Sequence, residues 1–384
     1  MSRTLKVVPD VARPSTTFRP SIYWYLSFRC NLACRHCSVN SSPTTDTSGD
    51  LSTSEAMQVI DQLEAANVAG VILTGGEPLY RDDAREILRE LVARRINSAL
   101  ETNGLLIDEE VVRIVSSARA SGVGVNISVS LDGGNRETHE WLRGLNTFHR
   151  TIENLRRLKE ANIRFNVQCI VHQKNKNSIV DLFDEMRRLL PAVDRIVLGF
   201  LHPVGRGIEM WDPMAMTSRD LAEMYDLIAS HMSDYNGRIV IKVPPAMIPP
   251  RYLGSLFGDE ESRCACNTTC SFPTLGILPN GDVTVCALTR NDPSIKYGNI
   301  RTDTLPDICV RANLGEARTR YLAAQLRGIC GDCVFAQTCK GACRALAYDQ
   351  YGDFAAPHPL CAGLDRRGEF PAMYRKSAQV HVAS

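Results

Sequence analysis

Cysteine spacing carries most of the chemistry in this sequence. Cys30, Cys34 and Cys37 follow the pattern C-x3-C-x2-C. Three thiolates on one loop can hold three irons of a four-iron cubane and leave the fourth iron without a protein ligand. A structural zinc site normally takes four protein ligands, usually from paired CxxC knuckles. His36 sits between Cys34 and Cys37 and would be strained as a fourth ligand to the same ion. Downstream come Cys264-x-Cys266-x3-Cys270, Cys286, Cys330-x2-Cys333-x5-Cys339-x3-Cys343 and Cys361. Eight thiolates would complete two more four-iron clusters. Zinc knuckles are the alternative for Cys330 to Cys343. Cys169 and Cys309 stand apart from these groups and read as packed or partly exposed structural thiols.

The elements that position these residues alternate between strand and helix. Ile22 to Ser27 is rich in aliphatic and aromatic residues and runs as a strand straight into Cys30. Ser41 to Asp50 is a polar loop, after which Ser52 and Glu55 form a capping box ahead of a helix carrying Ala56, Val59, Ile60 and Leu63. A strand over Val68 to Leu73 leads into Thr74-Gly75-Gly76-Glu77-Pro78. A helix over Asp83 to Arg94, a strand over Ser98 to Glu101 and a helix over Asp108 to Ala118 come next. Further strands are expected at Val125 to Ser130, Phe165 to Val171 and Arg195 to Phe200. Six βα units imply a parallel sheet covered by helices. They are too few for an eight-stranded barrel, so the fold class is α/β with an open, partial (β/α)6 barrel. Reactive groups in such sheets gather at the carboxyl ends of the strands, where Cys30 and Gly75-Gly76-Glu77 would meet.

After Val243 the rhythm stops. Pro244, Pro245, Pro249 and Pro250 suggest a linker, and Arg263 to Cys361 is loop-rich and dense in cysteine. Bound metal would supply part of that segment's stability. The expected division is a polar tail over 1–20, a core domain over 21–245, a linker over 246–262, a cysteine-dense domain over 263–365 and a C-terminal tail over 366–384.

The bulk numbers exclude several classes. Fourteen cysteines behind a polar N-terminus with no apolar signal core point to metal in the reducing cytoplasm rather than to disulfides. Forty-four basic and 43 acidic residues leave a net charge of +1, so neither a nucleic acid nor an anionic membrane is expected as partner. No apolar run is long enough to span a membrane.

Cys30-x3-Cys34-x-His36-Cys37, followed by Gly75-Gly76-Glu77-Pro78, resembles the radical S-adenosylmethionine (SAM) superfamily. By itself the second motif would fit a plain strand-to-helix turn. The resemblance implies a three-cysteine [4Fe-4S] cluster whose open iron is chelated by the amino and carboxylate groups of SAM. Reductive cleavage then yields methionine and a 5′-deoxyadenosyl radical that takes a hydrogen atom from the substrate. It implies that Gly75 and Gly76 let the backbone approach the methionine part of SAM, and that Glu77 pairs with its ammonium. Ser130 and Arg143 are candidates for the SAM carboxylate, Asn103 lies near the ribose, and His36 sets its neighbouring backbone against adenine.

The downstream cysteines, with Gly281-x4-Cys286 among them, resemble the SPASM extension of that superfamily. The resemblance implies two auxiliary [4Fe-4S] clusters. Cys264, Cys270, Cys286 and Cys343 would hold the first, with Cys266 competing for the place of Cys264. Cys330, Cys333, Cys339 and Cys361 would hold the second. Pro203-Val204-Gly205-Arg206-Gly207 also recurs in such proteins. Arg206 there either contacts an anionic substrate group or holds the loop.

Fully ligated clusters are suitable acceptors for an electron from a substrate radical. The expected reaction is therefore a net two-electron oxidation: a crosslink, a dehydrogenation or a decarboxylation. Most relatives of this type modify peptides, which favours a ribosomally made precursor, served by a separate recognition protein and an external donor of the flavodoxin or ferredoxin type. The alternatives are a small-molecule enzyme acting on an aminocyclitol, sugar or tetrapyrrole side chain, and a non-catalytic electron carrier. Ala287 stands where the sulfatase-maturing group places an aspartate base, so that subgroup is disfavoured and no general base is nominated.

Overall fold

Alternating burial along Ser21–Ser27 makes β1, with Ile22, Trp24 and Leu26 turned into the core. The computed structural model describes residues 19–235, 237–256, 274–312 and 325–377. Strands β2 (Gly70–Gly75), β3 (Ser98–Thr102), β4 (Val125–Ser130), β5 (Phe165–Val171) and β6 (Val193–Phe200) follow β1 in chain order, each parallel to the last. Helices α1 (Thr53–Ala65), α2 (Ala84–Ala93), α3 (Glu109–Ala120), α4 (Arg136–Arg143), α5 (Phe148–Glu160) and α6 (Ile179–Leu189) occupy the connections. The capping box on α1 forms as expected, since Ser52 accepts from the Glu55 N–H while Glu55 accepts from the Ser52 N–H. The fold is the expected α/β partial barrel with a cysteine-rich segment behind it.

Three features differ from the sequence expectation. A seventh parallel strand, β7 (Ile239–Ile241), extends the sheet beyond β6. Three residues leading into a proline run carry too little periodicity to announce a strand. The cysteine-rich segment is also not a separate loop-rich appendage. Its strand β8 (Thr274–Ile277) pairs in parallel with β1, and β9 (Asp282–Thr284) and β10 (Gly298–Asn299) continue antiparallel. The sheet order is therefore β10-β9-β8-β1-β2-β3-β4-β5-β6-β7.

The third difference is that two expected connectors turn out to be packed. Within the supposed linker, Ala246, Met247 and Ile248 are buried in the core. Within the supposed C-terminal tail, Phe370 and Tyr374 are buried, and the Tyr374 hydroxyl donates to the Ile248 carbonyl at 3.1 Å. Apolar side chains hidden on both segments hold them to the core, and the tyrosine ties one to the other. Cys264, Cys266 and Cys270 lie outside the described residues. Of the two isolated thiols, Cys169 is buried on β5 and Cys309 is half-buried.

Candidate active site

The carboxyl ends of the strands surround a cavity of about 320 Å³. Cys30, Cys34 and Cys37 line one side of it, together with His36 from the same loop. Gly75 and Gly76 enter from the end of β2, Asn103 from β3, Ser130 from β4 and Arg143 from α4. Nine residues singled out from sequence thus line one cavity.

The cysteine loop is held by its own backbone and by its neighbours. The Cys30 N–H donates to the Ser42 carbonyl at 3.1 Å, and the Arg35 N–H to the Leu142 carbonyl at 2.9 Å. The sulfurs themselves receive donors: the Leu32 N–H reaches Cys30 Sγ at 3.4 Å and the Ser41 N–H reaches Cys37 Sγ at 3.3 Å. Burial pushes the Cys30 thiol up to about 12 and raises Cys34 as well. Such thiols stay protonated unless a metal takes them, and N–H groups aimed at sulfur suit ligated thiolates. The donor set fits a three-thiolate iron–sulfur cluster.

The glycine–glutamate turn packs tightly against the cysteine loop. A Cβ on Gly75 would stand 2.2 Å from the Ser27 carbonyl oxygen, and one on Gly76 would stand 2.3 Å from the Arg29 carbonyl oxygen. Gly75 also has φ of +135°, which L side chains rarely adopt. Both glycines are needed for the end of β2 to close on the loop leaving β1. The Gly76 N–H donates to the Ser27 carbonyl at 2.8 Å and the Glu77 N–H to the Arg29 carbonyl at 3.1 Å. The close approach is made to the protein's own cluster loop.

Glu77 lies behind this wall, only 1% exposed. Its carboxylate accepts from the Thr102 hydroxyl at 2.8 Å, the Asn103 N–H at 2.7 Å and the Leu79 N–H at 3.1 Å. Burial lifts its pKa to about 7 against the pull of those three donors. Glu77 thus braces the end of β2 against the end of β3, and it is not among the described residues that line the cavity. Pro78 starts a short 3-10 turn, where its missing N–H costs nothing. Asn103, fixed by this brace, donates to Asn31 Oδ1 at 2.7 Å beside Cys30.

Asp132, just past β4, organises the opposite side and was not singled out from sequence. It is fully buried. Arg143 Nε donates to its Oδ2 at 2.5 Å, and the Ile170 N–H donates to its Oδ1 at 2.7 Å. His36 Nε2 lies 3.9 Å away. Burial works to raise the Asp132 carboxyl, yet the Arg143 guanidinium, helped by the Ile170 N–H, outweighs it and holds it below the usual carboxylate range. Burial pushes His36 down to about 4, so its ring is neutral. Arg143 therefore reaches the cavity from a fixed ion pair.

Arg206 holds the loop. Its Nε donates to the Cys34 carbonyl at 2.7 Å and its Nη2 to the Ser41 carbonyl at 2.8 Å, while its N–H donates to the Cys37 carbonyl at 3.1 Å. Of the two expectations for this arginine, loop support is the one its contacts show. Two other cavity residues escaped the sequence reading. Glu101 on β3 is half-buried and accepts from the Thr74 hydroxyl at 3.1 Å, and desolvation raises its carboxyl. His202 follows β6, and its Nδ1 is buried with no hydrogen-bond partner among the described residues. An acidic residue inside a strand next to Thr102-Asn103 is the one signal that could have found Glu101.

Four of the downstream cysteines surround a second hollow. Cys330, Cys333, Cys339 and Cys361 line it together with Pro244, Phe335, His358 and Phe370. The His358 N–H donates to Cys330 Sγ at 3.2 Å and the Phe335 N–H to Cys333 Sγ at 3.4 Å. Four thiols around one apolar space with amide donors to sulfur fit a fully ligated cluster. Cys286 and Cys343 sit elsewhere, at the N-caps of a 3-10 turn (Ala287–Thr289) and a helix (Arg344–Tyr351) that pack on each other.

Comparison with known proteins agrees with this geometry. The family model for the radical SAM superfamily matches residues 24–186, and that for the SPASM iron–sulfur cluster-binding domain matches residues 266–334. The AdoMet-dependent heme synthase of Methanosarcina barkeri is 32% identical over 361 residues, covering 88% of this chain and 95% of that protein. The mycofactocin maturase MftC of Mycolicibacterium smegmatis is 28% identical over 343 residues, covering 88% and 81%. Among solved structures, Streptococcus suis SuiB bound to S-adenosylmethionine superposes with a TM-score of 0.67 at 17% identity, covering 90% of this chain and 77% of that one. Native anSMEcpe with bound AdoMet gives 0.67 at 20%, covering 94% and 98%. The chain belongs to the radical SAM superfamily and carries its SPASM iron–sulfur extension.

Proposed function

We propose that this enzyme carries out a net two-electron oxidation of a peptide, with SAM as the source of the abstracting radical. The observation that carries the reading is the pairing of two sites in one fold: a three-thiol cavity, and a four-thiol hollow that begins one ring-to-ring contact away from it, between His202 and His358. When bound, the first cluster supplies SAM cleavage and the auxiliary clusters supply electron acceptance. The chain's own residues bind and orient. Cys30, Cys34 and Cys37 hold the first cluster. Asn103, Ser130 and Arg143 offer polar groups to SAM on the facing wall, while Gly75 and Gly76 keep that wall close. His36 packs beside Arg143 against Asp132 as a neutral ring. Cys330, Cys333, Cys339 and Cys361 hold the second auxiliary cluster, and Cys286 and Cys343 contribute to the first, with Cys264 and Cys270 proposed as its remaining ligands.

A peptide suits the cavity better than a polyanion. Of the described lining residues, the two arginines are already engaged, Arg143 by Asp132 and Arg206 by the Cys34 and Ser41 carbonyls. A second reading, oxidation of a tetrapyrrole side chain, is favoured by the 32% identity to a heme synthase over 95% of that protein's length. The test is anaerobic reconstitution followed by incubation with SAM and a strong reductant. About twelve irons per chain are expected for three four-iron clusters. Deoxyadenosine should form, and should vanish in Cys34→Ala. Mass spectrometry then decides the substrate: loss of hydrogens or of carbon dioxide from a short precursor peptide supports the first reading, and the same loss from a carboxylate-bearing tetrapyrrole supports the second. Unchanged deoxyadenosine formation by Cys34→Ala would overturn both.

A further inference from the structure

His202 and His358 belong to different parts of the chain and meet at the boundary between the two thiol sites. His202 lines the three-cysteine cavity, and His358 lines the four-cysteine hollow. Their rings pack edge to face, with centroids 5.7 Å apart and an interplanar angle of 72°. His202 is held in place by its chain: its carbonyl oxygen lies 2.5 Å from where a Cβ on Gly207 would be, a close approach that glycine permits.

His358 touches the hollow in two ways. Its N–H donates to Cys330 Sγ at 3.2 Å. Its Nδ1 accepts from the Leu360 N–H at 3.4 Å, which caps the helix Pro359–Arg366 that carries Cys361. A shift of this one residue therefore acts on two of the four thiols. Hydrogen bonds to ligating sulfur and the packing around it are known levers on cluster potential.

We propose that the His202–His358 contact couples the SAM-and-substrate cavity to the second auxiliary cluster, so that the position of a cavity-wall ring sets that cluster's reduction potential. The inference rests on the reading of Cys330, Cys333, Cys339 and Cys361 as that cluster's ligands. His202 and His358 are positioning residues here; neither ligates iron. Removing the His202 ring frees His358 to tilt and weakens the N–H to Cys330. An N–H aimed at sulfur offsets negative charge and favours the reduced cluster, so its weakening lowers the potential.

The test is an EPR-monitored redox titration of the fully reconstituted enzyme, with iron counted on the same samples. Wild type is compared with His202→Ala and with His202→Phe, which keeps an aromatic ring. The expected result is a tenfold shift of the reduction equilibrium against the reduced cluster in the alanine variant, equivalent to about 59 mV for one electron. The phenylalanine variant should restore most of it. An unchanged potential in His202→Ala with full iron content overturns the coupling. Equal shifts in both variants overturn the role assigned to ring packing. Should His202→Ala lose iron, His202→Leu, which fills space without an aromatic face, replaces it in the comparison. An iron count of about four in wild type would instead reject the cluster assignment itself, separately from the contact.

Discussion

Asp132→Asn isolates the hub of the cavity's polar wall. The change keeps shape and removes a charge from a fully buried position. The Arg143 guanidinium, now 2.5 Å from Oδ2, would face an amide that cannot neutralise it. Breaking a buried ion pair by removing one partner costs about 3–5 kcal/mol, because the remaining charge is left uncompensated. The Ile170 N–H, 2.7 Å from Oδ1, can keep its acceptor in the asparagine, so the loss falls mainly on Arg143. For a chain of this size, with roughly 2–4 °C per kcal/mol, thermal denaturation should begin about 10 °C lower. SAM affinity should fall as well, since Arg143 loses the anchor that aims it at the cavity. Anaerobic thermal melts and equilibrium SAM binding measure the two effects. The double variant Asp132→Asn/Arg143→Gln should recover much of the lost stability, because the stranded charge is gone. A melt within about 2 °C of wild type, or strictly additive losses in the double variant, would refute the argument that this pair is energetically coupled.

Three further outcomes follow from named contacts. Gly76→Ala places a Cβ 2.3 Å from the Arg29 carbonyl oxygen, so the cluster loop must move; reconstituted iron should fall by about a third while the auxiliary clusters remain. Arg206→Lys cannot reproduce a fork that reaches two carbonyls, so deoxyadenosine formation should drop at least about tenfold, read by chromatography. Burial pushes His172 down to about 4, so it is neutral when folded, whereas the unfolded chain protonates it near its ordinary value of 6.5. The stability it contributes is therefore present above pH 6.5 and lost as pH falls toward 4. Denaturation midpoints measured across that window should decline less steeply in His172→Phe. Glu77 runs the opposite way, its raised value of about 7 removing stability as pH rises from 4.5.

The strand-then-cysteine order, the glycine–glutamate turn and the two cysteine sets could all be read from the chain, because ligand spacing and βα periodicity are local properties. So were the ends of β4 and β5, which match the expectation residue for residue. Glu77 shows the limit of such reading. Its motif was visible, but whether its carboxylate faces the cavity or braces the wall depends on Thr102 and Asn103 at the end of another strand. Asp132 was missed for the same reason: an aspartate after a strand is ordinary until a buried arginine eleven residues on turns back to it.

What the sequence determined by itself is the inventory: which thiols exist, at what spacing, and the alternation that brings strand ends together. What tertiary structure alone decided is adjacency across the fold. β8 beside β1, the burial of the supposed linker and tail, and His202 against His358 all join residues more than a hundred positions apart. Those contacts arise from hiding apolar surface and satisfying buried polar groups, and neither requirement leaves a local pattern in the chain.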